Sequence, residues 1–362
     1  MSAADTELAE KTSPANTFDL VGHKDAESDL AAALSFGKVH HAWLITGPKG
    51  VGKATLAYRA ARILLGARRL PGERPLATRP DDPVVRQIAQ EAHPDMRVLA
   101  RSMDEKSGKL RTEISVDEAR KLTSFFSLSS GSGGRRVAII DSADELSRNA
   151  ANALLKTIEE PPPGSVLFLV CHAPGAIPRT LISRCRRLSL RTPQAEHVAA
   201  WLAAKGCTEE DAKIATRLAR FAPGLSLTYA RGSGPALYKT FSNYMQQVGT
   251  ARSNLIAQGL IDAAAAKTAP GDLSTLDLLF DFARDWLNRA ARLRIGHEAQ
   301  DILTNEGEAM RKAAENWSPR AMSDVFASIS QLQDAADDLN FDRAHTAVEL
   351  FSRIATLTVP AK

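Results

Sequence analysis

The chain has 362 residues, 44% apolar and 24% charged, the balance of an ordinary globular protein with room for two or three domains. Lys and Arg number 46 against 42 Asp and Glu, so the net charge of +4 permits an anionic partner without demanding one. Only three cysteines, Cys171, Cys185 and Cys207, are present and they are widely spaced, which excludes a disulfide scaffold and a four-cysteine zinc ribbon; aromatics at 6% are sparse for a protein that stacks bases along a single strand.

The N-terminal run MSAADTELAEKTSPANT is polar and acidic and has no apolar h-region, so it is read as a flexible tail over residues 1–17 and not as a secretory signal. No stretch reaches the roughly 18 consecutive apolar residues of a membrane span, and a cytoplasmic protein with no membrane partner is expected. Residues 18–193 alternate short apolar runs with helical stretches, the pattern of a parallel α/β sheet. His41–Thr46, Val137–Asp141 and Ser165–Cys171 are the predicted covered strands, and Ala54–Leu65 the helix after the first of them. Between them, Pro71–Arg111 is rich in Pro, Arg and Asp, includes Lys106-Ser-Gly-Lys109, and is read as a surface insertion.

After Pro193 the strand signals fade. Residues 194–235 read as a small helical lid, broken at Gly206 and at Pro223-Gly224 and ending in a linker from Arg231 to Pro235. Residues 236–362 read as all helix. Leu276, Leu279, Phe280, Ala283, Leu287 and Ala290 share one face, as do Val325, Ile329, Leu332, Ala336 and Leu339, and Ala344, Ala347, Val348, Phe351 and Ile354. Trp286, Trp317, Phe280 and Phe326 fall in these patterns and are expected in a core or an interface.

Gly47, Pro48, Lys49, Gly50, Val51, Gly52 and Lys53 form a G-x-x-x-x-G-K loop after a predicted strand and before a predicted helix. In that context the glycines let backbone N–H groups turn inward on a phosphate, the helix N-terminus adds its partial positive charge, and Lys53 supplies an ammonium. The hydroxyl that normally follows the lysine and ligates Mg²⁺ is missing: position 54 is Ala54, and Thr55, one residue on, is rotated by about 100°. ATP or ADP binding with Mg²⁺ is compatible with this loop, whereas hydrolysis is doubtful. Asp141 ends a strand in the manner of a Mg²⁺-ligating Walker B aspartate, but Ser142 follows where an active ATPase carries its water-activating glutamate. Asp144 and Glu145 are expected to cap the next helix. His40 and His41 lack partners at metal-ligand spacing and are read as strand-edge packing. Cys185 is read as packed, having no activating neighbour. Glu159 and Glu160 close a helix ahead of Pro161, where acids are electrostatically misplaced, which points to an outside partner for them, a basic neighbour.

These motifs in this order resemble the bacterial clamp-loader branch of the AAA+ family. Leu20-Val-Gly-His23, the run from His41 to Lys53, Ile114-Ser-Val-Asp-Glu-Ala-Arg120, Ala150-Ala-Asn-Ala-Leu-Leu-Lys-Thr-Ile-Glu-Glu-Pro-Pro162 and Thr180-Leu-Ile-Ser-Arg-Cys185 carry the likeness, which spans about residues 18–195. It implies an AAA+ P-loop domain with a parallel sheet, then a small helical lid and an all-α collar that holds a ring of subunits. Within the branch the chain looks more like the delta-prime type than the gamma/tau ATPases, which carry an intact loop, an Asp-Glu pair, a zinc module and a lid arginine. Here the lid run Ala222-Pro-Gly-Leu-Ser-Leu227 lacks that arginine, Cys171-His172 occupies the sensor-1 region, and there are no zinc cysteines, an absence that is atypical for delta-prime as well.

The resemblance further implies gamma/tau and delta subunits as partners, with sliding clamp and primed DNA reached through the complex. It gives Arg184, inside Ser183-Arg-Cys185, the role of an arginine finger on a neighbour's ATP. Arg179, Arg186, Arg187 and Arg191 are read as a solvated basic face, some of which could touch DNA phosphates. Three functions stay open at this point: a non-hydrolysing stator that donates Arg184, an active P-loop ATPase in which Thr55 and Asp144 or Glu145 substitute for the lost groups, and another AAA+ DNA-associated motor.

Overall fold

The computed structural model describes residues 13–35, 39–72, 74–104, 111–127, 134–231, 233–266, 273–339 and 341–358. These residues divide into two compact units, one running up to Val198 together with Phe221–Leu225, the other made of Ala199–Arg220 and Ser226–Lys362.

In the first unit, helix α1 (Lys24–Ser35) precedes strand β1 (Ala42–Thr46), which leads into α2 (Lys53–Leu64). Then come α3 (Pro83–Ala89), β2 (Met96–Leu99), α4 (Val116–Ser127), β3 (Arg136–Asp141), α5 (Arg148–Glu159), β4 (Ser165–Cys171), the short α6 (Arg179–Ile182) and β5 (Arg186–Ser189). The five strands form one parallel sheet in the order β2-β3-β4-β1-β5. Successive strand residues point to opposite faces, and both faces are covered. Trp43, Ile45, Val137, Ile139, Val166, Phe168 and Val170 pack with α1 and α2 on one side. Leu44, Ala138, Ile140, Leu167, Leu169 and Cys171 pack with α4 and α5 on the other. Ile45 and Phe168 are fully buried, each contributing on the order of 2 kcal/mol. The α2 face against the sheet is built from Leu56, Ala57, Ala60 and Ala61, small enough to bring the helix close and hold the loop before it rigidly.

The stretch from Pro71 to Arg111 is not a surface insertion. It supplies α3 and the edge strand β2, which pairs with β3 over four residues from Met96↔Val137 to Leu99↔Ile140. Its Lys106–Lys109 segment lies outside the described residues, as do residues 1–12. The predicted tail is also shorter than expected. Ser13 caps a single 3-10 turn, Pro14–Asn16, and Ala15 is buried. The reason is Arg62 on α2, whose buried guanidinium donates to Ala15 O at 2.6 Å and lies 4.3 Å from the centre of the Phe18 ring. A guanidinium in a core must find acceptors, and this one takes them from residues 15–18. Glu27, fully buried, similarly ties α1 to Arg59 (2.6 Å) and pairs with Arg74.

The second unit is helical throughout its described residues. Helix α7 (Ala195–Ala204) enters it, followed by α8 (Glu209–Leu218), and α9 (Pro223–Arg231) crosses back into it from Ser226. The remaining helices are α10 (Gly234–Gln247), α11 (Ala251–Ala265), α12 (Thr275–Arg294), α13 (Glu306–Ala313), α14 (Pro319–Leu339) and α15 (Arg343–Ala355). The break expected at Pro223-Gly224 falls just before it, over residues 219–222, and Pro223-Gly224 opens α9, as a proline in the first turn can. The predicted α12 face is buried in full, with Trp286 against Trp317 at 5.6 Å between ring centroids. The other two faces are buried only in part, with Leu339 67% exposed and Val348 49%, and Phe326 beside them is 37% exposed. A polar node sits inside this core, where buried Glu306 accepts from Tyr238 (2.6 Å), Ser242 (2.7 Å) and Arg289 (2.8 Å). No helix among the described residues is long and apolar enough to cross a membrane.

Candidate functional site

The strand order places β1 between β4 and β5, with β3 on the far side of β4, so the carboxyl ends of β1, β3 and β4 meet at one edge. In open parallel sheets such an edge is where ligands bind. Thr46 stands opposite Cys171, and Asp141 opposite Val170. The phosphate loop, the strand-end aspartate and the end of β4 are thereby gathered as the sequence predicted.

The loop turns through positive φ at Gly47 (148°), Gly50 (75°) and Gly52 (110°). A Cβ at Gly47 would lie 2.4 Å from Leu190 O, so only glycine fits. Gly52 stands at the N-cap of α2 without a side-chain cap bond, leaving amide donors of the first turn for a ligand. Lys53 is 3% exposed, and its Nζ donates to Gly47 O and Pro48 O, both at 2.6 Å. Burial pushes its ammonium down to about 8, against the opposing pull of Asp144 and Asp141. Ala54 has a methyl group where a loop of this kind carries a hydroxyl, and Thr55 is buried at 8% exposure. His23 Nε2 sits 2.9 Å from Val51 O, and Leu20 is packed beside Gly52. On the other side Gly224 N–H donates to Gly50 O at 2.8 Å, while a Cβ at Gly50 would meet Leu225 at 2.8 Å. The segment 221–225 therefore closes directly over the loop, a contact no sequence pattern announced.

Asp141 is largely buried, and desolvation raises its carboxyl above the ordinary aspartate value while Lys53 pulls it back. The acids beyond it do not cap the next helix. Ser147 does that, its Oγ accepting from Ala150 N at 3.2 Å. Asp144 instead accepts from the backbone N–H of His172 (2.9 Å) and Ala173 (3.2 Å), bridging the ends of β3 and β4. Burial alone would raise its carboxyl, but these N–H groups and the His172 ring hold it below the usual range. Glu145 pairs with Arg101 at 2.8 Å. Cys171, buried at the end of β4, and Cys185, whose Sγ donates to Leu181 O at 3.3 Å, are both pushed up to about 12 by burial, so neither is a nucleophile at neutral pH. His40 bonds the backbone of Ala42 and stacks on His41 at 4.6 Å, the packing role expected.

For a nucleotide, the fit is split. The uncapped helix start, the glycine turns and Lys53 are of the kind that hold phosphates; the metal set keeps Asp141 and has lost the hydroxyl that would complete it. Arg184 lies apart from this cradle, just after α6. It is 39% exposed, donates through Nη1 to Thr180 O at 2.8 Å and pairs through Nη2 with Glu159 Oε1 at 2.7 Å. The basic partner expected for Glu159 from outside is instead found within the chain.

Residues 22–194 match the family described as DNA polymerase III, delta subunit. A DNA polymerase III subunit delta' from Pseudomonas aeruginosa is 31% identical over 264 residues, which is 72% of this chain and 75% of that protein. A DNA polymerase III subunit tau from Escherichia coli is 33% identical over 195 residues, 53% of this chain but 28% of that much longer protein. Among solved structures, a DNA polymerase III gamma subunit-related protein from Thermotoga maritima aligns over 92% of this chain and 99% of its own, at 12% identity and a TM-score of 0.45. By its sheet, its ordered motifs and these relatives, the chain belongs to the clamp-loader subunit family of DNA polymerase III.

Proposed function

We propose that this family member is a delta-prime-type subunit. It would be a largely non-hydrolysing stator in a complex with gamma/tau and delta subunits, acting in the cytosol to help place a sliding clamp on primed DNA. Its own cradle would take ATP or ADP through the loop amides and Lys53, with Asp141 alone on the metal side. Its active contribution would be Arg184, delivered to the γ-phosphate bound by the neighbouring ATPase subunit. A guanidinium stays charged at every working pH and its fork matches phosphate oxygens, so it can stabilise charge that develops there.

The observation that carries the reading is the fate of the acids at the strand end. Position 142 is Ser, Asp144 is consumed by two backbone N–H groups, and Glu145 by Arg101. None of them is free to orient an attacking water in this arrangement, and Thr55 is buried.

The test has two parts. The isolated chain should turn over ATP at background rate. Reconstituted with the gamma/tau and delta subunits of the same genome, clamp and primed DNA, the Arg184→Ala variant should lose the turnover of the one site it serves, where an arginine finger is worth on the order of 10³. Robust hydrolysis by the isolated chain, abolished by Lys53→Ala, would make it a gamma/tau-type ATPase instead. Unchanged turnover by the Arg184→Ala assembly would end the trans assignment.

A further inference from the structure

The geometry points to Glu159 as an internal counter-ion that parks Arg184 and competes with the neighbouring nucleotide for its guanidinium. The inference rests on the trans role proposed above and concerns what regulates it.

Glu159 is the last residue of α5, and the chain leaves that helix through Pro161, Pro162 and Pro163. A carboxylate there faces the partial negative charge of the helix end and gains from any nearby cation. Arg184 supplies it. With Nη2 on Glu159 Oε1 at 2.7 Å and Nη1 on Thr180 O at 2.8 Å, both terminal nitrogens of the fork are engaged inside the subunit. These are the nitrogens a bidentate phosphate contact would need.

The pairing is selective. Arg179, Arg184, Arg186, Arg187 and Arg191 are all exposed, and the stretch from Ala173 to Ala195 contains no acid. Among the described residues Arg184 is the one of these five that meets a carboxylate. The carboxylate comes from a different helix, 25 positions earlier in the chain.

The strength of the latch also fits a switch. Glu159 is 46% exposed and Arg184 39%, so the pair is solvated on both sides. Exposed pairs of this kind hold by an amount equivalent to about two- to fivefold in an equilibrium. That is enough to bias an empty interface toward the parked state, and too little to resist a γ-phosphate, which carries more charge than one carboxylate. Assembly without ATP would therefore leave Arg184 home, and nucleotide in the neighbour would draw it out.

The sign of one substitution separates this device from its opposite, in which Glu159 aims Arg184 at the phosphate. The assay is ATP turnover by the full assembly with gamma/tau and delta subunits, clamp and primed DNA. A latch predicts that Glu159→Gln raises kcat/KM for ATP by about two- to fivefold, with Glu159→Ala behaving alike. In an Arg184→Ala background the same substitution should change nothing, as a double-mutant cycle requires of a residue that acts only through its partner. A fall in kcat/KM, no change, or a rise that persists without Arg184 would each overturn the latch. If Arg184→Ala alone impairs turnover while Glu159→Gln is silent, the latch fails and the trans role stands. If Arg184→Ala is itself silent, the trans role falls and takes the latch with it.

Discussion

Replacing Lys53 by methionine should stabilise the protein at neutral pH in the absence of nucleotide. Lys53 is 3% exposed, and burial brings its ammonium from an ordinary value near 10.5 down to about 8. At about 1.4 kcal/mol per tenfold change, holding that charge inside costs the fold roughly 3 kcal/mol at pH 7. Methionine fills a similar volume without the charge. It also leaves Gly47 O and Pro48 O without the donor they now share, at a cost of about 1 kcal/mol each, so the net gain should be about 1 kcal/mol. The pH dependence is the stricter test. Between about 8 and 10.5 the folded state binds fewer protons than the unfolded chain, so wild-type stability rises with pH across that window. The advantage of Lys53→Met is constant below the window and reverses through it, to a deficit of about 2 kcal/mol from the two lost hydrogen bonds. Urea denaturation at pH 7, 8, 9 and 10.5 reads both quantities, provided the slope of the unfolding line is unchanged. A variant less stable than wild type at pH 7, or a difference that stays flat across the window, would refute the reasoning. Excess ATP adds a functional arm: if the cradle takes phosphate, the nucleotide stabilises the wild type by about 2.7 kcal/mol at a hundredfold excess over its Kd and leaves the variant unmoved.

Two further substitutions test what surrounds the site. Asp144→Asn keeps one oxygen acceptor for the two N–H groups of His172 and Ala173 and turns an amide toward the other, which should cost about 1–3 kcal/mol in denaturation. Because the Asp144 carboxyl is held below its ordinary range, its contribution is present above the unfolded value and fades as pH falls; the Asn variant should therefore lose less on acidification than wild type. Glu27→Gln strips the charge that faces buried Arg59 and half-buried Arg74 and should destabilise by about 3–5 kcal/mol, measured in the same way, with no effect on the exposed Arg184.

What could be read from the sequence follows from where each signal resides. β1, β3 and β4 are central strands covered on both faces, so each is a run of apolar residues with nothing to disguise it, and the phosphate loop follows the first of them without interruption. β2 and β5 occupy the two edges. Edges are kept from pairing with other chains by charge, and here Arg97, Arg186 and Arg187 break the apolar runs by which a strand is recognised. The same divide governs the chemistry. The missing hydroxyl at Ala54 and the missing acid at Ser142 are local facts, visible beside Lys53 and Asp141. Whether another group could replace them is a question about contacts that periodicity does not encode: Asp144 meets a backbone 28 residues on, and Glu145 meets Arg101 on a segment that sequence alone placed outside the sheet. Local reasoning assigned both acids to a helix cap that Ser147 in fact provides. Glu159 shows how far such reasoning reaches. Its position at a helix end announced that a cation was wanted, because the helix dipole acts within a turn, but only the packing of α5 against α6 made Arg184 that cation. A sequence can therefore show that a group is missing from a site and that a residue is in want of a partner. The fold is needed to say that Asp144 and Glu145 are already engaged, and that Arg184 is paired with Glu159 inside the chain.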